Sequence, residues 1–182
     1  MPLAATPLAV YQTPHIDGNT VIIDVPWYQS AYDEWCWAAC AQMIAYYYQQ
    51  TMTDQCILAK AAFPGIDCCQ NPGSCNSPID LAKVNQVFKS FGKSAPLIST
   101  QVEFEDIRTE ILASRPVQVG FSFNDGNNHV AVVAGVSEDN VGQLVWVNDP
   151  DPNHSYSGWL YYSNLQLAYG FGSWQWTWMP IR

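Results

Sequence analysis

From Cys36 to Tyr48 the chain is apolar at almost every position, and Gln42 is the one clearly polar interruption. Fair helix formers that are apolar all round predict a helix buried on every side. The run is too short to cross a bilayer. Val21–Val25, closed by Pro26, predicts a short strand, and Thr53–Ala62 a second helix. From Phe63 to Ser77 the chain breaks into a loop rich in Pro, Gly and Cys. Ser77 before Pro78 has the form of an N-cap with proline at the first helical position, opening a helix to about Phe91 that Gly92 stops. Pro96–Thr100 predicts a short strand, and Thr100 with Glu103 has capping-box spacing for a helix to about Ser114.

Beyond Pro116 the pattern changes to strands over Val117–Phe123, His129–Val136, Leu144–Asn148, Tyr156–Tyr162 and Trp174–Pro180. In the last, Trp174, Trp176 and Trp178 alternate, which predicts a shared face. The expected architecture is α+β: a helical N-terminal half, about 27–95, packed on an antiparallel β-rich C-terminal half, about 96–182. Residues 1–20, with Pro2, Pro7 and Pro14, are expected to form a loosely attached arm or the remnant of a pro-segment. Residues 21–182 are expected to form a single domain.

Composition narrows the function. The chain has 182 residues, 48% of them hydrophobic and only 13% charged, with a net charge of −9. That balance repels phosphate backbones and argues against nucleic acid as a partner. No apolar run is long enough for a transmembrane helix. Met1–Val10 lacks a basic leader and a proper apolar core, so it does not read as an intact signal peptide.

The candidate chemistry begins at Cys36, the first residue of the apolar helix, preceded by the loop residues Asp33, Glu34 and Trp35. A thiol there faces unpaired backbone N–H groups and the positive end of the helix dipole, and both favour thiolate over thiol. The same N–H groups suit the oxyanion that forms when the sulfur attacks a carbonyl. Histidine is scarce. His15 lies in the arm and His154 in a loop, while His129 opens the apolar strand Val130–Gly135, where a rigid strand can hold its ring toward a cleft. His129 is the expected general base for Cys36. The following strand ends in Asn148-Asp149-Pro150, and in a hairpin that end lies near His129. Asp149 or Asn148 would accept the imidazole N–H and fix its tautomer. Gln29, ahead of the helix, is the expected second oxyanion donor beside the Cys36 N–H.

Together these residues carry a resemblance. Gln29, then Cys36-Trp37-Ala38-Ala39 opening a long apolar helix, then His129, then Asn148-Asp149-Pro150, resembles papain-like cysteine peptidases over about residues 21–150. The compact size and the Asn-Asp-Pro ending are closest to bacterial branches, the secreted effector proteases of plant pathogens and the peptidases that trim bacteriocin leaders. The resemblance implies a two-lobed papain-like fold and favours Asp149 over Asn148. It implies hydrolysis of peptide bonds through a Cys-His-Asp triad and an acyl-thioester, with a peptide or protein as substrate and no cofactor or metal. A monomer is expected. The expected arm of about 20 residues is too short to be read as an inhibitory pro-region of the papain type, and the segment from Cys56 to Cys75 is not part of the minimal signature. Phe171-Gly172-Ser173-Trp174 resembles the core of sites cut by the effector proteases. It lacks their preceding Val-Pro and is expected to begin the last strand.

Of the six cysteines, Cys40 lies one turn after Cys36 and is expected to be a small core residue. Cys56, Cys68, Cys69 and Cys75 form an even set in which adjacent Cys68 and Cys69 do not pair. Two connectivities stay open, 56–68 with 69–75 or 56–69 with 68–75. Their spacing fits a structural zinc site poorly. Disulfides imply an oxidising compartment, hence a secreted protein or one delivered into a host cell. Two further function classes share these residues. One is an acyl or peptidyl transferase or a deamidase with the same triad. The other is a non-catalytic module whose Trp-rich last strand binds a peptide or glycan.

Overall fold

The computed structural model describes residues 13–151 and 157–182. The first twelve residues of the expected arm, the loop holding His154, and Tyr156 at the start of an expected strand lie outside the described residues. The rest is an α+β fold, with helices first and antiparallel strands after them.

The organising helix, α1, spans Cys36–Gln49, with Trp37–Ala45 and Tyr47 buried. Its burial all round is met on one side by α2 (Gln55–Ala62) and α3 (Leu81–Ser90), and on another by the central strand of the sheet. The helical set also includes α4 (Phe104–Leu112), α5 (Tyr162–Gln166) and one-turn segments at Pro72–Ser74 and Ala168–Gly170.

The strands are β1 (His15–Asp17), β2 (Thr20–Ile22), β3 (Leu97–Ile98), β4 (Val117–Phe123), β5 (Asn128–Glu138), β6 (Gln143–Asn148), β7 (Ser157–Tyr161) and β8 (Gly172–Trp178). They form one antiparallel sheet in the order β1-β2-β5-β4-β8-β3, and β6 pairs with both β5 and β7. Strand β5 is the hub. Its first half pairs with β4 (Phe121 opposite His129), and its second half pairs with β2 (Ile22 opposite Gly135). It also runs beside β6, with Val132 opposite Asn148. Residues 15–20 of the expected arm therefore form an edge hairpin, turned at Gly18 with φ +57°.

Several boundaries differ from those the sequence predicts, each for a local reason. Helix α3 starts at Leu81, because Asp80 caps it by accepting from the Lys83 N–H at 2.9 Å. Ser77 is occupied elsewhere, its N–H bonded to the Cys75 carbonyl and its carbonyl to the Trp37 indole. At α4 the reciprocal cap is Glu103 with Asp106, whose Oδ2 accepts from the Glu103 N–H at 3.2 Å. The Thr100 carbonyl instead accepts from the Thr177 hydroxyl.

The shared face of Trp174, Trp176 and Trp178 is also corrected. Phe121 pairs with Trp174 and Gly120 with Trp176, so Gln175 is an extra residue and the bulge reverses the alternation. Trp176 and Trp178 share the Gly120 face, where a Cβ would lie 3.1 Å from both rings. Trp174 turns to the other side and meets Tyr162 with ring centroids 6.2 Å apart.

The disulfides take one of the two open connectivities, Cys56–Cys69 and Cys68–Cys75. All four sulfurs of Cys56, Cys68, Cys69 and Cys75 are thereby paired with one another. No helix among the described residues is long and apolar enough to cross a membrane.

Candidate active site

Cys36 is the first residue of α1 and stays partly accessible, whereas the residues that follow it are buried. No side chain caps this helix N-terminus, since Trp35 occupies the cap position and offers no acceptor. Trp35 and Trp37 fix the flanks of Cys36. Their indole N–H groups donate to the carbonyls of Cys75 at 2.8 Å and Ser77 at 3.3 Å, and the Glu34 N–H donates to Asn76 Oδ1 at 3.1 Å. The disulfide-stapled loop is thus a brace for the start of α1.

His129 is the second residue of β5 and 9% exposed. Its ring lies beside Phe121 and Phe123 of β4, near-parallel to both, with centroids 6.3 and 5.8 Å away. Its Nε2 lies 2.7 Å from Asp149 Oδ1, and the Cys36 side chain lies near enough to act on the ring's charge. With Nε2 engaged by the carboxylate, Nδ1 is the nitrogen left for the thiol. Burial alone would lower the imidazole's pKa. The hydrogen bonds and charges of Asp149 and Cys36 outweigh it and push the value up from 6.5 to about 10. The ring is therefore charged at neutral pH, poised between a carboxylate and a sulfur.

Asp149 follows β6 directly and is 1% exposed. Its Oδ1 also accepts from the Asp151 N–H at 2.9 Å, its Oδ2 accepts from the Tyr169 hydroxyl at 2.6 Å, and its carbonyl accepts from the Trp27 indole at 2.6 Å. Asn148 is spent elsewhere. Its Nδ2 donates to the Val25 carbonyl at 2.9 Å, and its Oδ1 accepts from Trp146 and Ser157 at 3.0 and 2.7 Å. It latches β6 to the strand-end before the helix and makes no bond to His129.

Gln29 lies exposed on the loop before α1. That loop is tied to the Asp149 turn twice, by the Trp27 indole and by the Ser30 N–H on the Pro150 carbonyl at 2.9 Å. It is tied to the helices by buried Gln55, which donates to the Gln29 carbonyl at 2.8 Å and accepts from the Ala31 N–H at 2.9 Å. Gln55 also donates to Gln42 Oε1 at 2.9 Å, which explains the polar interruption in α1.

Cys40 points into the core. It is fully buried, and its thiol donates to the Val130 carbonyl at 3.4 Å. Burial pushes its pKa well up, and the nearby Cys36 and Asp149 charges add to the effect. His15 is remote, paired on the exposed edge hairpin with Asp24 at 3.0 Å. Gly172 opens β8, where a Cβ would collide with the Ser122 carbonyl, while Phe171 just before it is exposed.

Sequence reasoning missed Tyr169, Gln55, and the bracing role of Trp35 and Trp37. Gln42, noticed as a polar break, carried the one available signal.

With this geometry in hand, the comparisons with known proteins can be set beside it. A family model described as "Papain-like cysteine protease AvrRpt2" matches residues 18–165. Among curated proteins, none matches the sequence. Among solved structures, the peptidase domain of Streptococcus ComA, a bi-functional ABC transporter involved in quorum sensing, superposes with TM-score 0.62 at 15% identity. The match covers 85% of this chain and 96% of that one, and it shows the shared fold. Xylellain, a cysteine protease from Xylella fastidiosa, matches with TM-score 0.49 at 10% identity, covering 100% of this chain and 95% of its own.

Proposed function

The chain belongs to the AvrRpt2 family of papain-like cysteine proteases, and from that premise we propose that it cleaves peptide bonds through Cys36, His129 and Asp149. The observation that supports this assignment best is the 2.7 Å bond from the His129 ring to the Asp149 carboxylate, with the Cys36 side chain at the start of α1 acting on the same ring.

The Cys36 sulfur, paired as thiolate with the His129 imidazolium, attacks the scissile carbonyl carbon. The carbonyl oxygen takes the displaced electron pair and is stabilised by the Cys36 backbone N–H and the Gln29 amide. His129 gives its proton to the departing amine as the C–N bond breaks, leaving an acyl-thioester and neutral imidazole. Water then attacks the thioester, His129 takes its proton, and the acid product leaves with the thiolate–imidazolium pair restored. Asp149 holds the ring in the required tautomer throughout. The two disulfides support action in an oxidising compartment, reached by secretion or by delivery into a host.

The test is a mass spectrum of the denatured protein after treatment with an epoxysuccinyl inhibitor. One adduct is expected, on Cys36, and absent from Cys36→Ala. An adduct on Cys40 with Cys36 unmodified would mean the nucleophile is misassigned.

A further inference from the structure

We propose that Tyr169 is the positioning residue of this site: its hydroxyl holds one oxygen of the Asp149 carboxylate so that the other is presented to His129. The inference rests on the hydrolase assignment above and adds a further residue to it.

A carboxylate on a turn is free to rotate, and a buried carboxylate oxygen without a donor is costly. Asp149 is 1% exposed, and its two oxygens are engaged differently. Oδ1 takes the imidazole Nε2 at 2.7 Å and the Asp151 N–H at 2.9 Å, while Oδ2 takes the phenol of Tyr169 at 2.6 Å. Rotation of the carboxylate would break the phenol bond along with the imidazole bond, so the phenol locks the orientation that faces His129.

The chain goes to some lengths to deliver that hydroxyl. Ala168, Tyr169 and Gly170 run through successive φ values of 44°, 62° and 90°. Two of these three are non-glycine residues in the left-handed region, which such residues seldom occupy and which surrounding contacts must hold in place. The Gly170 and Gly172 N–H groups close the turn onto the Leu167 carbonyl at 2.9 and 3.2 Å. The Tyr169 ring packs on Phe121, centroids 5.3 Å apart, and Phe121 in turn lies alongside the His129 ring. One side chain from the segment between α5 and β8 thus supports both partners, Asp149 by hydrogen bond and His129 through Phe121.

The experiment is Tyr169→Phe, which keeps the ring on Phe121 and removes only the hydroxyl. With thermal midpoint matched to wild type, kcat/KM on fluorescein-labelled casein should fall about tenfold, as for loss of a hydrogen bond to a charged acceptor. The alkaline limb of the pH profile, where the imidazolium loses its proton, should move to lower pH. In an Asp149→Ala background the same change should have no further effect on the residual rate. Replacing Tyr169 by 3-fluorotyrosine, which keeps the ring and a more acidic hydroxyl, should restore kcat/KM at mildly acidic pH, where that phenol is still protonated.

The proposal is overturned by a Tyr169→Phe enzyme with unchanged kcat/KM and limb, or by a limb that moves up. A tenfold loss that persists without Asp149, or a fluorotyrosine protein as impaired as Tyr169→Phe at mildly acidic pH, would overturn it as well. A wild-type protein that neither cleaves casein nor takes the epoxide on Cys36 would overturn the hydrolase assignment and this proposal together. An active wild type with an indifferent Tyr169→Phe overturns this proposal alone.

Discussion

Two thiols one turn apart on α1 meet opposite environments. Cys36, at the open end of the helix, is partly accessible, and its side chain helps raise the pKa of His129. Cys40 is sealed in the core, its thiol donating to a backbone carbonyl and its pKa pushed up by burial. The residue type and the helix are the same, so the difference comes from position. The first turn of a helix leaves backbone donors unused and side chains near the surface, whereas the second turn of this one is enclosed on all sides. Reactivity here belongs to the place the fold makes for a sulfur.

The comparison breaks most sharply by deletion. Cys36→Ala should lower turnover by about ten-thousand-fold or more, as for loss of a nucleophile acting within a triad. Cys40→Ala should keep turnover and lose about 1 kcal/mol of stability to a small cavity. Casein turnover and urea unfolding measured on the same samples check the pair, and an inactive Cys40→Ala with an active Cys36→Ala would reverse the assignment.

A second contrast lies between neighbours on the β6 turn. Asp149→Ala should reduce turnover by about a hundredfold to ten-thousand-fold. Asn148→Ala should act on stability, costing about 2–3 kcal/mol through the bonds it makes to Val25, Trp146 and Ser157. If Asn148→Ala proves the slower enzyme at equal stability, the orienting role lies one residue back.

The brace around Cys36 gives a smaller effect. Removing the Cys68–Cys75 disulfide by serine substitution of both residues should cost about 2–4 kcal/mol of stability. It should also lower kcat, because the Cys75 and Ser77 carbonyls hold Trp35 and Trp37. A protein with lower stability and unchanged kcat would confine the disulfide to a structural role.

A further effect concerns pH. The His129 pKa is raised by folding from 6.5 to about 10, so the charged ring's contribution to stability is fully present below pH 6.5 and is lost as pH rises through 10. The stability advantage of wild type over His129→Gln should shrink across that window. A difference independent of pH would contradict it.

What was legible in the sequence follows the same division between local and distant. Helix α1 and strand β5 were readable because their burial is written in continuous apolar runs, and Cys36 and His129 because each opens such a run. Asp149 was readable through the Asn-Asp-Pro turn, with the choice between it and Asn148 resting on a family likeness. Gln42 was visible as a polar break, but its meaning depends on Gln55, which lies on another helix. Tyr169 gave no signal. A tyrosine at positive φ follows no turn rule, and its partner is fixed only when the turn before β8 folds onto the end of β6. The Trp alternation misled because one extra residue, Gln175, cannot be seen as a bulge without the register of β4. The caps of α3 and α4 fell at Asp80 and Glu103, each three residues beyond the position the sequence suggested, while the carbonyls of Ser77 and Thr100 bond Trp37 and Thr177.

The pairing of Cys36 with His129 is tested most directly by an NMR pH titration of the imidazole, assigned by His129→Gln, in wild type, Cys36→Ala and Asp149→Ala. The account predicts a ring that stays protonated in wild type up to about pH 10 and loses its proton at lower pH in each variant. A ring that titrates near 6.5 and identically in all three proteins would contradict it.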